Sequence, residues 1–412
     1  MLVSVGREDR RLRPCDDRGE SGEHERDADA FGKLEMARAS AGWHPEQGTI
    51  SRMPPTRRAF LHQSLAAPLA ASGLAAQAPA RPPASPPAAA QSRTAPSGVR
   101  KPRRLRPGSV VGVIDPASAL WDPVDVDIVV ESLAALGLKA KLGAHLLDRR
   151  GYLAGRDEDR AADVMAMFAD PDVSAVHALR GGWGCARLLP HLDFETIGRN
   201  PKILLGYSDI TALLLPVVAR GGFVTFHGMN GASEWNRFNV DWFRRVLMQG
   251  ELVTMTNPQS AGDQLVPTVN RTRTITPGRA RGRLLGGNLT VLTTIIGSGL
   301  LPDFTDAILF IEDVQEAPYR IDRMFMQLKL AGILDQVKGV IWGRCTKCSP
   351  GEGYGSLTIG DILDDYVKPL NVPAWEGAQI GHIDRQFIMP LGVQAEIDAE
   401  RGSIRLLEAA VT

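Results

Sequence analysis

From residue 109 onward the chain alternates two patterns. Short apolar runs rich in β-branched residues give way to longer stretches whose apolar positions recur every three or four residues. Residues 109–114, 138–142, 175–180, 202–206 and 223–226 read as strands. Residues 124–136, 157–168, 185–189 and 210–220 read as the helices between them. Asp157, Glu158 and Asp159 open the second of these helices, where acids suit the positive end of the helix dipole. Strands alternating with helices at this spacing predict an α/β fold with a mostly parallel, helix-covered sheet.

The pattern loosens over 230–279, which holds Trp235, Trp242 and several Asn, Gln and Pro residues. This segment reads as an interdomain connection with some helix at 240–248. A second α/β unit follows over 280–412, with strands at 307–311 and 339–343 around a helix at 319–331. A hairpin at 393–397 and 403–407 ends the chain. The first unit then covers 105–229.

The first hundred residues have a different character. Residues 1–52 are highly charged and lack apolar periodicity, so they cannot offset the entropy of ordering. Met53-Pro-Pro-Thr-Arg57-Arg58-Ala-Phe-Leu61 leads into a weakly apolar, Ala-rich stretch that ends at Ala76-Gln77-Ala78. Paired arginines, a short apolar region and an A-x-A site in this order resemble a twin-arginine export signal over 53–78. The expectation is a periplasmic or otherwise exported protein, or a cytoplasmic one if the signal is not used. On this reading Met53 is the true start, and 1–52 is a mis-called extension. Residues 79–104, rich in Pro and Ala and ending Arg100-Lys-Pro-Arg-Arg104, read as a solvated, disordered tether.

Charge sharpens the picture. The 412 residues carry 47 basic and 47 acidic side chains. Residues 105–412 are net acidic, and the basic excess sits in 53–104. Without a basic body, nucleic-acid binding is excluded. No run of some 18 apolar residues exists, so no stable membrane span is expected. Four cysteines are too few for a disulfide scaffold. Cys345 and Cys348 read as two inert thiols or one local disulfide. Cys185 has no basic partner that marks it as a nucleophile.

Four places offer chemistry. In Gly206-Tyr-Ser208-Asp209-Ile-Thr211, a serine sits on a strand-to-helix turn. Its hydroxyl is lifted from the sheet, beside backbone N–H groups at a helix start. Taken alone, the same serine suits a helix N-cap. Arg180-Gly-Gly182-Trp-Gly184 ends a strand with free backbone donors, as ligand sites in open α/β sheets do, though taken alone an ordinary turn explains it better. Glu312 ends the apolar run 308–311, with Asp313 and Glu316 as rival carboxylates and Arg320 or Arg323 as salt-bridge partners. His382, in Gly381-His382-Ile-Asp384, is the histidine best placed to face a cleft, and His227 is the runner-up. No H-E-x-x-H or other ligand cluster appears, so no metal is expected.

In their order and spacing these pieces resemble the LD-carboxypeptidases, the serine peptidase family that includes muramoyltetrapeptide carboxypeptidase. The matching segments are Arg180–Leu189, Gly206–Thr211, Thr225–Gly228, Gly286–Thr290, Ile311–Arg323, and Gly381-His382 with Leu391-Gly392. The resemblance implies a flavodoxin-like N-terminal domain and a smaller β-rich C-terminal domain. It implies a triad with Ser208 as nucleophile, His382 as general base and Glu312 orienting the histidine. Backbone N–H groups of Gly182 and Asp209 would form the oxyanion hole. No cofactor, a small muropeptide substrate and a homodimer follow from the same resemblance. The implied reaction removes terminal D-Ala from a peptidoglycan tetrapeptide through an acyl-enzyme. Two competing readings are a microcin-immunity-like amidase cleaving peptide–nucleotide conjugates, and a non-catalytic muropeptide-binding envelope protein.

Overall fold

The computed structural model describes residues 99–259, 261–349 and 355–412. The segments expected to be an extension (1–52), an export signal (53–78) and most of a tether (79–98) lie outside the described residues. Within them the chain forms two sheets.

The first sheet contains β1 (Val110–Ile114), β2 (Lys139–Leu142), β3 (Val173–Ala178), β4 (Ile203–Gly206) and β5 (Thr225–His227). All five are parallel, in the order β2-β1-β3-β4-β5. Every residue of β4 is buried, as expected of a central parallel strand covered on both faces. Helices Val124–Ala135 and Asp157–Ala169 fall where the apolar spacing puts them. The stretch expected as one helix over 210–220 is instead three short pieces. A 3₁₀ turn Ser208–Ile210 leads into α-helix Thr211–Pro216 and a π-helical turn Val217–Gly221. Residues Cys185–His191 are 3₁₀ rather than α, with Pro190 inside.

The second sheet holds β6 (Thr254–Thr256), β7 (Arg273–Thr276), β8 (Arg279–Asn288), β9 (Ala307–Val314), β10 (Gly339–Thr346) and β11 (Ala374–Glu376). After β11 the chain returns to the first sheet as β12 (Met389–Leu391), antiparallel to β5 and with Met389 opposite His227. It then closes the second sheet with the hairpin β13 (Gln394–Asp398) and β14 (Ser403–Leu406). The second sheet's order is β6-β14-β13-β8-β9-β10-β11-β7, parallel through β8–β11 and antiparallel outside them.

Two expectations need correcting. Residues 230–279 are not merely a connection, because β6 and β7 form the two edges of the second sheet. Each is three or four residues long, with a single inward apolar residue (Met255, Ile275), too little to register as an apolar run. The basic run 100–104 is not a solvated tether. The Arg100 guanidinium donates to the Gly198 and Gly221 carbonyls, Lys101 pairs with Glu408 at 2.8 Å, and Leu105 is buried. Among the described residues no helix is long and apolar enough to cross a membrane.

Candidate active site

Ser208 leaves β4 on a turn that places it at φ 63°, a left-handed conformation costly for a side chain with a Cβ. The turn is held from outside, since the Tyr207 N–H donates to Asn230 Oδ1 at 3.1 Å. Glu312, in β9, has no solvent exposure. His382 lies on the loop between β11 and β12, and neighbouring elements fix that loop by side-chain hydrogen bonds. The Thr346 hydroxyl donates to the His382 carbonyl at 2.7 Å, and the Asn236 and Asn239 amides donate to the Asp384 carbonyl at 2.6 and 2.8 Å. Phe387 packs its ring 5.0 Å from Trp242 and 5.8 Å from Phe238.

Folding joins the three residues in one relay. His382 Nδ1 lies 2.8 Å from Glu312 Oε2, and His382 Nε2 lies 2.9 Å from Ser208 Oγ. With the Nδ1 proton donated to the carboxylate, Nε2 is left to accept the serine proton. The Tyr207 ring meets His382 edge-on at 4.9 Å and limits the tilt of the imidazole. An isolated carboxylate as buried as Glu312 would be costly to ionise. Burial does oppose its charge, but His382 and His227 more than offset this and hold its pKa down to about 2. For His382, burial pulls the pKa down, and the Glu312 charge and hydrogen bond overcome that to raise it above 6.5.

The rivals go elsewhere. Asp313 accepts hydrogen bonds from Asn288, Thr290 and its own neighbour Val314, and burial pushes its carboxyl up to about 6. Glu316 faces Arg320 at 3.4 Å. His227 is fully buried on the other side of Glu312, its Nε2 3.6 Å from Oε1, too long for a hydrogen bond. It flanks the carboxylate and does not reach Ser208.

The Gly-rich loop after β3 closes over the serine. A Cβ on Gly181 would sit 3.0 Å from Ser208 Cβ, and one on Gly182, at φ 112°, would collide with Ser118 Oγ. The surrounding turns use other amides. Ser118 N–H goes to the Gly181 carbonyl, Trp183 N–H to Ser118 Oγ, and Ile210 N–H to the Tyr207 carbonyl. None of these bonds uses the amide of Gly182 or of Asp209. Cys185 is buried, and burial together with Asp209 raises its thiol well above the ordinary range, which disfavours the thiolate. Cys345 and Cys348 form a disulfide.

The LD-carboxypeptidase N-terminal domain model matches residues 111–228, and the C-terminal domain model matches 281–397. The chain belongs to the LD-carboxypeptidase family. It is 37% identical over 318 residues to the probable murein peptide carboxypeptidase of Bacillus subtilis, covering 76% of this chain and 95% of that protein. Its fold is similar to the microcin C7 self-immunity protein MccF, at TM-score 0.68 and 27% identity, covering 76% of this chain and 99% of that one. The muramoyltetrapeptide carboxypeptidase of Oxalobacter formigenes superposes at TM-score 0.60 and 28% identity, covering 72% and 97%.

Membership of this serine peptidase family puts weight on the relay rather than on the larger cavities. A cavity of about 640 Å³ beside Arg271, Arg273 and Arg344 has Ile383 in its wall, but not the serine, histidine or glutamate. One group among the described residues, His145, Asp148 and Asp159, has ligand-like spacing. There His145 already pairs with Asp148, and Asp159 with Arg156. Tyr207, Asn230, Asn236 and Asn239 were not legible as site residues. The asparagines among Trp235, Phe238 and Trp242 are the signal that could have pointed to Asn236 and Asn239, since amides in apolar surroundings must serve a partner.

Proposed function

We propose that this chain is a serine LD-carboxypeptidase that releases terminal D-Ala from peptidoglycan tetrapeptides. The observation that carries the reading is the unbroken relay Ser208–His382–Glu312, at 2.9 and 2.8 Å. Ser208 Oγ attacks the carbonyl between the L-configured centre of residue three and D-Ala, and its proton passes to His382 Nε2. The Gly182 and Asp209 amides take the charge that develops on the carbonyl oxygen. Collapse of the tetrahedral species breaks the C–N bond, and His382 returns its proton to the departing D-Ala nitrogen. Water, deprotonated by His382, then hydrolyses the ester and frees Ser208. Glu312 stabilises the imidazolium formed at each step without taking its proton.

The names of the Bacillus and Oxalobacter relatives support the murein substrate. Likeness to MccF, solved with aspartyl sulfamoyl adenosine, supports an amidase as the second reading. Export through the twin-arginine-like segment belongs to the same proposal, and a Cys345–Cys348 disulfide suits an oxidising compartment. Assembly as a homodimer follows the family resemblance alone.

Mass spectrometry of a purified muropeptide tetrapeptide incubated with the protein tests the proposal. Loss of one alanine, absent with Ser208→Ala, is expected. Cleavage of aminoacyl sulfamoyl adenosine with intact tetrapeptide would favour the amidase, and binding without cleavage the non-catalytic module.

A further inference from the structure

Asp209 contributes more than an amide. Its side chain is fully buried and turns back toward the Gly-rich loop, where Oδ2 accepts the Cys185 N–H at 2.7 Å. The other oxygen, Oδ1, has no hydrogen-bond partner. The loop that presents the Gly182 amide therefore lies too close to Ser208 for a side chain at Gly181, and the Asp209 carboxyl ties it to the serine turn. The same residue offers one amide through its backbone and anchors the loop bearing the other.

We infer that Asp209 is a positioning residue that sets the spacing between the two halves of the oxyanion hole. The inference rests on the reading of Ser208 as nucleophile. Nothing in the fold alone requires an acid at this position. A carboxyl in the apolar interior is disfavoured, and burial pushes Asp209 up to about 6 against the pull of Cys185 and Arg160. A second buried carboxyl, Asp115 at the end of β1, lacks any hydrogen-bond partner and is pushed up to about 8 by burial, against Arg180 and Arg160. The loop thus closes over a buried polar layer in which the Asp209 carboxyl is the side chain that hydrogen-bonds it to the serine turn. Gly184, at φ 138°, immediately precedes the Cys185 N–H that makes this bond.

Fluorophosphonate labelling of Ser208 tests this without the natural substrate, because the phosphoryl oxygen occupies the oxyanion hole. Parent protein, Asp209→Ala and Asp209→Asn are compared for second-order labelling rate, for kcat and KM on tetrapeptide, and by thermal melting. Asn keeps an acceptor for the Cys185 N–H and should stay within about tenfold of the parent. Ala should lose roughly 10²-fold in labelling rate and in kcat, with KM changed less than about threefold, the scale of one lost oxyanion donor. Equal damage in Asn and Ala, an unchanged labelling rate in a folded Ala variant, or a loss confined to KM would overturn the inference. Normal labelling of the parent with no tetrapeptide cleavage would sink the proposed substrate and leave this inference standing.

Discussion

The two sheets equip the site by different means. The first holds Ser208 through backbone: a left-handed turn after β4 and glycines that let a loop approach. The second holds Glu312 and His382 through charge and side-chain hydrogen bonds, on a rigid strand and a pinned loop. A backbone device tolerates few substitutions but involves no titration. A charge device can be tuned by pH and by single atoms. The two halves should therefore fail in distinguishable ways.

The largest effect expected on the second-sheet half comes from Glu312→Gln. The amide keeps the volume but not the charge that selects the His382 tautomer, and kcat should fall about 10⁴-fold in steady-state assays. Its pH profile sharpens the comparison. In the parent, His382 must be neutral to act, so the acid limb of kcat/KM should have its midpoint above 6.5, the direction in which Glu312 moves it. In Glu312→Gln, burial remains while the opposing charge is gone, so the midpoint of residual activity should move down. The same pair acts on stability with opposite signs. Depressed Glu312 contributes stability above the ordinary carboxylate range of about 4.3, lost as pH falls toward its folded value. Raised His382 contributes below 6.5, lost as pH rises through its folded value.

A smaller effect is expected at His227, the buried imidazole on the far side of the carboxylate. His227→Phe keeps an aromatic ring against Phe310, which lies 5.5 Å away, and removes one of the two groups that hold Glu312 down. A loss of about tenfold in kcat/KM is expected, about 1.4 kcal/mol, with the Ser208 labelling rate reduced in parallel. A loss as deep as that of Glu312→Gln would make His227 an equal member of the relay and blur the division between the sheets.

The difference between the halves also explains what could be read in advance. Strands β1 to β5, the helices after β1 and β2, and the terminal hairpin were legible, because buried parallel strands and amphipathic helices write their periods into apolar positions. Ser208, Glu312 and His382 could be named one by one, but only the order of surrounding motifs joined them, since 174 residues separate the serine from its histidine. The supports of the histidine loop were hidden for a physical reason. Asn236, Asn239 and Thr346 act by single hydrogen bonds to carbonyls far away in sequence, and such bonds leave no periodic trace. The edge strands β6 and β7 and the crossing strand β12 were missed because pairing, not composition, defines strands of three or four residues.

The central claim is that Ser208, activated across the two sheets, carries the acyl group. A tetrapeptide analogue ending in D-lactate acylates faster than the amide, so its acyl-enzyme should accumulate before hydrolysis. Acid quenching in the first turnover, followed by proteolysis and peptide mass mapping, locates that group. A tripeptidyl ester on Ser208, absent from Ser208→Ala, is the result predicted. An ester on another residue, or undiminished turnover by Ser208→Ala, would contradict it.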